Sequence, residues 1–175
     1  MTSVIKQFTR AFLWLILCQS ASVLAQPAHH AHHAHHAQAS TKPPALVAQP
    51  FNESSWSKLI KNGPKPMAYL FTTSYCSTCP EAFAVLHEAV KQREPKIPLA
   101  AVMMDVSGQQ ALRHASHFVG LTQLYAFDGF EPAIRQSVDP QWPNVTPYIV
   151  LIDRHGKMQT TLGPPSQNML KRWLL

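Results

Sequence analysis

The chain has 175 residues, of which 46% are hydrophobic and 14% are charged, and its formal net charge is +6 with histidine neutral. A chain of this length and composition can bury the core of one ordinary domain and still carry a tail. The 15 Lys and Arg residues form no dense basic run, so the sequence argues against a nucleic-acid-binding protein.

The N-terminal segment has the pattern of a secretory signal peptide. Lys6 and Arg10 precede the apolar run 11–18, and small residues lead to an expected cleavage site after Ala25. The apolar run is shorter than the roughly 20 residues of a membrane span, so membrane contact is expected only if the segment stays uncleaved. We therefore predict that residues 1–25 export the chain to the bacterial periplasm.

The next segment, residues 26–50, is predicted to be a disordered linker rich in His, Ala and Pro. Its histidines recur with a period of three, which would align them along the edges of a polyproline II helix. They are His29, His30, His32, His33, His35 and His36. Imidazole is a good ligand for zinc and copper, so this tail is a candidate metal site. The alternative is a solvated low-complexity linker without a ligand.

Residues 51–175 alternate the patterns of helices and strands and are predicted to form one domain. In chain order we expect a helix from about Asn52 to Ile60, a strand at 67–73, a helix at 81–92, a strand at 99–106, helices at 109–119 and 128–138, a hairpin of strands 148–152 and 157–162, and a last helix capped by Ser166. Helices between strands imply parallel pairing, and the hairpin adds antiparallel strands. The sequence thus predicts an α/β fold with a central mixed sheet flanked by helices.

Three histidines of this domain are expected on or beside the solvent side of their helices. His87 faces outward, His114 flanks the apolar side of its helix, and His117 faces away from that side. A solvated pair is the favoured interpretation of the last two, rather than a metal site.

Cys76 and Cys79 lie between the predicted strand 67–73 and the predicted helix 81–92. Two thiols at this spacing and at the start of a helix can form and break a disulfide reversibly. The helix dipole would favour the thiolate form of Cys76, which would attack a substrate, and the deeper Cys79 would resolve the mixed disulfide. Two alternatives for the pair are half of a metal site and an inert structural disulfide.

Together, the Cys-x-x-Cys turn after a core strand and Thr146-Pro147 before another strand resemble the thioredoxin-like superfamily. The segment 144–156 looks most like exported disulfide reductases of the TlpA and ResA type. This resemblance implies a thioredoxin-like fold and a cis-proline at Pro147 that faces the cysteines. It also implies substrate contacts at Tyr75, Thr146 and Pro147.

The same resemblance implies a thiol-disulfide oxidoreductase that acts on protein disulfides or thiols, with the reductase direction favoured. It implies an upstream redox partner and no required cofactor. Exported Sco-type copper proteins share this fold and bind copper through two cysteines and a distant histidine. Here two residues instead of three separate the cysteines, and Val145-Thr146-Pro147 replaces the histidine segment. Both departures count against Sco-type copper binding. The His-rich tail could supply imidazole instead, so the alternative function is a metal-binding protein or copper metallochaperone that combines the cysteine pair with this tail.

Overall fold

A computed structural model describes residues 45–175, so the predicted signal peptide and the histidines at 29–36 lie outside the described residues. The strands are β1 (Ala48–Phe51), β2 (Met67–Thr72), β3 (Leu99–Met103), β4 (Gln123–Phe127), β5 (Tyr148–Ile152) and β6 (Met158–Leu162). The helices are α1 (Ser55–Asn62), α2 (Cys79–Val90), α3 (Gly108–Ala115), α4 (Glu131–Val138) and α5 (Gln167–Leu174). Within this part of the chain, none of the helices has the length and hydropathy that a membrane crossing requires.

All six strands form one sheet in the order β1-β4-β3-β2-β5-β6. The pairs β1·β4, β4·β3 and β3·β2 are parallel, whereas β5 is antiparallel to both β2 and β6. Every residue of β2, β3 and β5 is buried, which explains why their sequences are almost continuous apolar runs. The predicted thioredoxin-like α/β fold with a mixed central sheet is confirmed.

Helices cover both faces of the sheet, because alternate residues of the central strands point to opposite sides. Leu70 belongs to a core cluster that contains Phe83 of α2 and Trp173 of α5. Its neighbour Tyr69 belongs to a second cluster, which contains Trp56 of α1 and Ile134 of α4. The two clusters fix α2 and its cysteine on one face and α4 on the other.

Strands β1 and β4 were not predicted, and β1 begins inside the segment expected to be linker. The residue pairs Ala48↔Leu124 and Phe51↔Phe127 join them in parallel. Pro50 lacks a backbone donor, and β1 tolerates it because it lies at the edge of the sheet. The ordered domain therefore extends N-terminal to residue 51.

The first helix begins later than predicted. Asn52 lies outside α1, where its side-chain oxygen accepts a hydrogen bond from the backbone N–H of Ser54.

The segment after α3 also differs from the prediction, because the helix ends at Ala115. His87 was expected to face solvent, but it is half-buried against the segment that follows α3. Gly120 has a φ of 84°, and a Cβ at this position would overlap the imidazole of His87. The glycine thus lets the chain turn and lets the ring pack. His114 is half-buried beside the apolar side of α3, with its ring centroid 5.7 Å from that of Phe118, and His117 is exposed, so only one member of the predicted solvated pair faces solvent fully.

Candidate active site

Cys76 and Cys79 are joined by a disulfide, with an S–S distance of 2.01 Å and a Cα–Cα distance of 5.5 Å. Cys79 is the first residue of α2 and is fully buried, in the same core cluster as Phe83. Cys76 precedes the helix by three residues and is partly exposed. A reactant that arrives from solvent therefore reaches the sulfur of Cys76 first.

The backbone of the cysteine turn is held by local hydrogen bonds. The N–H of Cys76 donates to the carbonyl of Thr73 at 3.2 Å, and the N–H of Cys79 donates to the carbonyl of Cys76 at 3.3 Å. Pro80 is accommodated because residues in the first helical turn have no intrahelical partner for an N–H. Thr78 occupies the N-cap position but makes no side-chain cap; its hydroxyl lies 3.9 Å from the Cys76 sulfur instead.

A carboxylate from the next strand anchors this turn from the side. Asp105, which follows β3, accepts the backbone N–H of Ser74 at 2.9 Å and 3.0 Å through its two oxygens. It also accepts the Ser74 hydroxyl at 2.6 Å. Because Ser74 is two residues before Cys76, this contact ties the cysteine turn to the end of β3.

The prediction from sequence missed Asp105, although a signal for it exists. Strands β2 and β3 are parallel neighbours, so their carboxyl ends meet at the same edge of the sheet. Polar residues directly after two such strands are candidates for a shared site. Thr73 and Ser74 follow β2, and Asp105 follows β3.

Beside the disulfide lies a cleft of about 260 Å³. Its lining residues come from the cysteine turn, the end of β3, the start of α4 and the segment before β5: Thr73, Tyr75, Met104, Asp105, Glu131, Asn144 and Thr146. We refer to this set as the carboxylate cleft. It brings together Tyr75 and Thr146, two of the residues that the resemblance singled out for substrate contact. Tyr75 is 80% exposed and therefore open to an incoming chain.

Pro147, the third of these residues, is buried directly before β5 and is not among the residues that line the cleft. The Thr146-Pro147 bond is cis, as the resemblance implied. The carbonyl of Pro147 accepts the N–H of Gly163 at 2.9 Å and so joins β5 to the chain beyond β6.

The segment before Pro147 is supported by stacked aromatic rings. Trp142 lies parallel to Tyr148 with ring centroids 4.4 Å apart, and its indole N–H donates to the carbonyl of Val145 at 3.1 Å. The hydroxyl of Tyr148 donates to Asp139, and burial together with this hydrogen bond raises the pKa of Tyr148 to about 12. Trp142 is 5% exposed, so it supports the wall of the cleft by packing.

The other flank of the cysteine turn forms a separate, basic cleft. It is lined by Ser74, Val106, Gln110, Arg113, His114 and His117. Burial lowers the pKa of His114, and the neighbouring His117 acts in the same direction. Across residues 45–175, no three His, Cys, Asp or Glu side chains are grouped so that they could hold a metal ion. Any metal site that includes the histidines at 29–36 lies outside the described residues.

No protein-family model matches this sequence, and no curated protein sequence matches it either. Several solved structures have a similar shape. A thioredoxin-related protein from Neisseria meningitidis serogroup B is 13% identical, with a TM-score of 0.49 over 64% of this chain and 84% of that one. A secreted Mycobacterium tuberculosis disulfide oxidoreductase homologous to Escherichia coli DsbE is 17% identical, with a TM-score of 0.46 over 62% of this chain and 79% of that one.

A third solved structure is a putative thiol:disulfide interchange protein DsbE from Chlorobium tepidum. It is 21% identical to this chain, with a TM-score of 0.45 over 62% of this chain and 77% of that one. All three TM-scores are below 0.5.

Proposed function

We propose that this protein is an exported thiol-disulfide oxidoreductase that acts on protein disulfides or thiols. Cys76 is the attacking sulfur and Cys79 is the resolving sulfur. The observation that carries the proposal is the unequal exposure of the two bonded sulfurs at the start of α2 in a thioredoxin-like fold. A structural disulfide would need neither an open sulfur nor a cleft beside it.

In the reductase direction the reaction begins with both cysteines reduced. The thiolate of Cys76 attacks one sulfur of a substrate disulfide, the substrate S–S bond breaks, and the departing substrate sulfur takes up a proton. Cys79 then loses its proton and attacks the sulfur of Cys76, which breaks the mixed disulfide and releases the second substrate thiol. Two electrons have moved from the cysteine pair to the substrate, and an upstream dithiol partner must reduce the pair again.

Substrate binding is assigned to Tyr75, Thr146 and Pro147. The first two line the carboxylate cleft, and Pro147 directly follows Thr146. The exchange reaction moves electrons between sulfur atoms and requires no cofactor. Export to the bacterial periplasm is proposed from the signal-peptide pattern of residues 1–25, and the reductase direction from the resemblance to TlpA and ResA.

Reduction of insulin by dithiothreitol, with and without the protein, tests the proposal. The wild type should accelerate the reaction, and Cys76→Ser should reduce it to the uncatalysed rate. Cys79→Ser is the matched variant: once reduced, freed of dithiothreitol and mixed with insulin, it should accumulate a one-to-one mixed disulfide that mass spectrometry detects. Equal rates for the wild type and Cys76→Ser would refute the function. Equilibration with glutathione would give the reduction potential and hence the favoured direction.

The His-rich segment supports a second candidate function, metal binding in combination with the cysteine pair. Its six imidazoles could bring zinc or copper to the two reduced sulfurs. Calorimetric titration of the reduced full chain with each metal tests this, with a deletion of residues 26–41 for comparison. If the deletion leaves the number of bound ions unchanged, the tail has no part in metal binding.

A further inference from the structure

The carboxylate cleft has acidic but no basic side chains among its lining residues. Asp105 reaches it from the end of β3, and Glu131 reaches it from the first turn of α4. Glu131 also accepts a hydrogen bond from Arg135 at 3.2 Å, but Arg135 does not line the cleft. Two carboxylates against one guanidinium leave the cleft with an excess of negative charge.

A buried hydroxyl without a partner lies at the inner end of the same cleft. Thr73 is 5% exposed, and its Oγ1 is buried and makes no hydrogen bond. A buried hydroxyl is unfavourable until it is paired, so a ligand that hydrogen-bonds to it gains affinity. An ammonium or guanidinium group is a suitable partner, because it carries several donors and the hydroxyl oxygen can accept one.

One aromatic residue, Tyr75, is among the lining residues of the cleft. Phe130 is not among them, but it directly precedes Glu131 and is 69% exposed. Glu53 accepts the backbone N–H of Phe130 at 3.2 Å and thereby fixes the start of α4. A cation is attracted to the face of an aromatic ring, and the long methylene stem of Lys or Arg packs on apolar surface.

The opposite flank of the cysteine turn has the opposite charge character. Arg113 lines the basic cleft, and the imidazoles of His114 and His117 lie beside it. The one permanently charged residue that lines this cleft is therefore positive, whereas both charged residues that line the carboxylate cleft are negative. A positively charged substrate residue is repelled on the α3 side and attracted on the α4 side.

We propose that the carboxylate cleft binds the side chain of a Lys or Arg that flanks the reactive cysteine of the substrate protein. This inference rests on the proposed function, because it assigns the substrate class of the same site. Tyr75 is adjacent to Cys76, so the cleft lies within a residue or two of a substrate cysteine in mixed disulfide with Cys76. The specificity is for a basic neighbour of the target cysteine.

Three peptides test this inference. Each has one cysteine in mixed disulfide with thionitrobenzoate, and the residues on both sides of the cysteine are Lys, Gln or Glu. The reduced full-length protein attacks the peptide sulfur and releases thionitrobenzoate, whose absorbance gives a second-order rate constant. Reaction of each peptide with 2-mercaptoethanol provides the correction for its intrinsic reactivity. Glu131→Gln tests the cleft, and Glu88→Gln is the matched control, because Glu88 is likewise ion-paired with a basic residue close by in sequence, Lys91 at the end of α2.

After this correction, the Lys peptide should react about fivefold faster than the Glu peptide at low salt, and the ratio should fall as salt is added. The net charge of +6 would by itself favour the acidic peptide, so overall charge cannot produce this result. Glu131→Gln should lower the ratio, whereas Glu88→Gln should retain it. Equal rates for all peptides, or an unchanged ratio in Glu131→Gln, would overturn the inference while the proposed function stands. If no peptide reacts with the protein, the proposed function fails and the inference fails with it.

Discussion

Removal of the Asp105 carboxylate should destabilise the folded protein by an amount that follows from its contacts with Ser74. The carboxylate accepts two donors, the backbone N–H and the hydroxyl of Ser74. Ser74 is exposed, so water replaces part of what is lost, and each donor contributes about 0.5–1.5 kcal/mol. Asp105→Ala should therefore lower the free energy of unfolding by about 1–3 kcal/mol. Asp105→Asn, which keeps one acceptor oxygen, should lower it by roughly half as much.

Urea denaturation of the oxidised full chain measures these values, and an unchanged slope shows that the unfolded states are comparable. Ser74→Ala removes only the hydroxyl, so a double-mutant cycle with Asp105→Ala isolates the hydroxyl–carboxylate bond. We expect a coupling energy of about 0.5–1.5 kcal/mol. If the two substitutions add to within about 0.3 kcal/mol, the bond does not stabilise the turn and the reasoning is refuted.

Three further substitutions have expected outcomes. Gly120→Ala should lower the free energy of unfolding in urea by about 2 kcal/mol or more, because alanine disfavours a φ of 84° and its methyl group overlaps His87. Thr78→Val should slow alkylation of reduced Cys76 at neutral pH about twofold, because the thiolate loses a nearby hydroxyl donor. His114→Gln should make the free energy of unfolding less dependent on pH. Burial lowers the pKa of His114 in the folded state, so the folded wild type binds a proton less readily than the unfolded chain. The wild type therefore loses stability as the pH falls below about 6.5.

Each of these expectations has a result that would contradict it. For Gly120→Ala, the test is to repeat the substitution in a His87→Ala variant, which has no ring to overlap. An equal loss of stability there would show that the overlap is not a cause. For Thr78, a Thr78→Ser variant keeps the hydroxyl and should alkylate at the wild-type rate; a rate as slow as that of Thr78→Val would exclude the hydrogen bond as the cause. For His114→Gln, the expectation is contradicted if the substitution changes the free energy of unfolding by the same amount at pH ~7.5 and at pH ~5.

Three of the four predicted strands are recognisable because they are buried, and the fourth, β6, follows from the hairpin turn that precedes it. The segments at β2, β3 and β5 are apolar throughout, so their patterns indicate burial on both faces without knowledge of their partners. Strand β1 has four residues, of which only Phe51 is buried, and it contains Pro50. It is a strand because it pairs with β4, and this long-range pairing leaves no local pattern.

The candidate site likewise has features that local sequence predicts and features that depend on long-range packing. The spacing of Cys76 and Cys79 is local, and the turn that it predicts is present. The contact between Ser74 and Asp105 joins residues 31 positions apart, and it exists because two parallel strands end side by side. The position of Glu131 in the cleft depends on the packing of α4 against the sheet, which periodicity alone does not specify.

The complete burial of Cys79 has a thermodynamic consequence. In the unfolded chain both sulfurs are equally hydrated, whereas in the folded chain one of them lies among Phe83 and Leu86 in the core. A buried thiol has an S–H donor and a disulfide sulfur has none, so the oxidised and the reduced protein are expected to differ in folding free energy. The difference in folding free energy between the two redox forms sets the change in reduction potential that folding imposes on the cysteine pair, because the two quantities close one thermodynamic cycle. The conversion is about 30 mV for each 1.4 kcal/mol. Two urea denaturation curves, one for each redox form, thus measure how far the fold itself displaces the pair from the potential of its unfolded sequence.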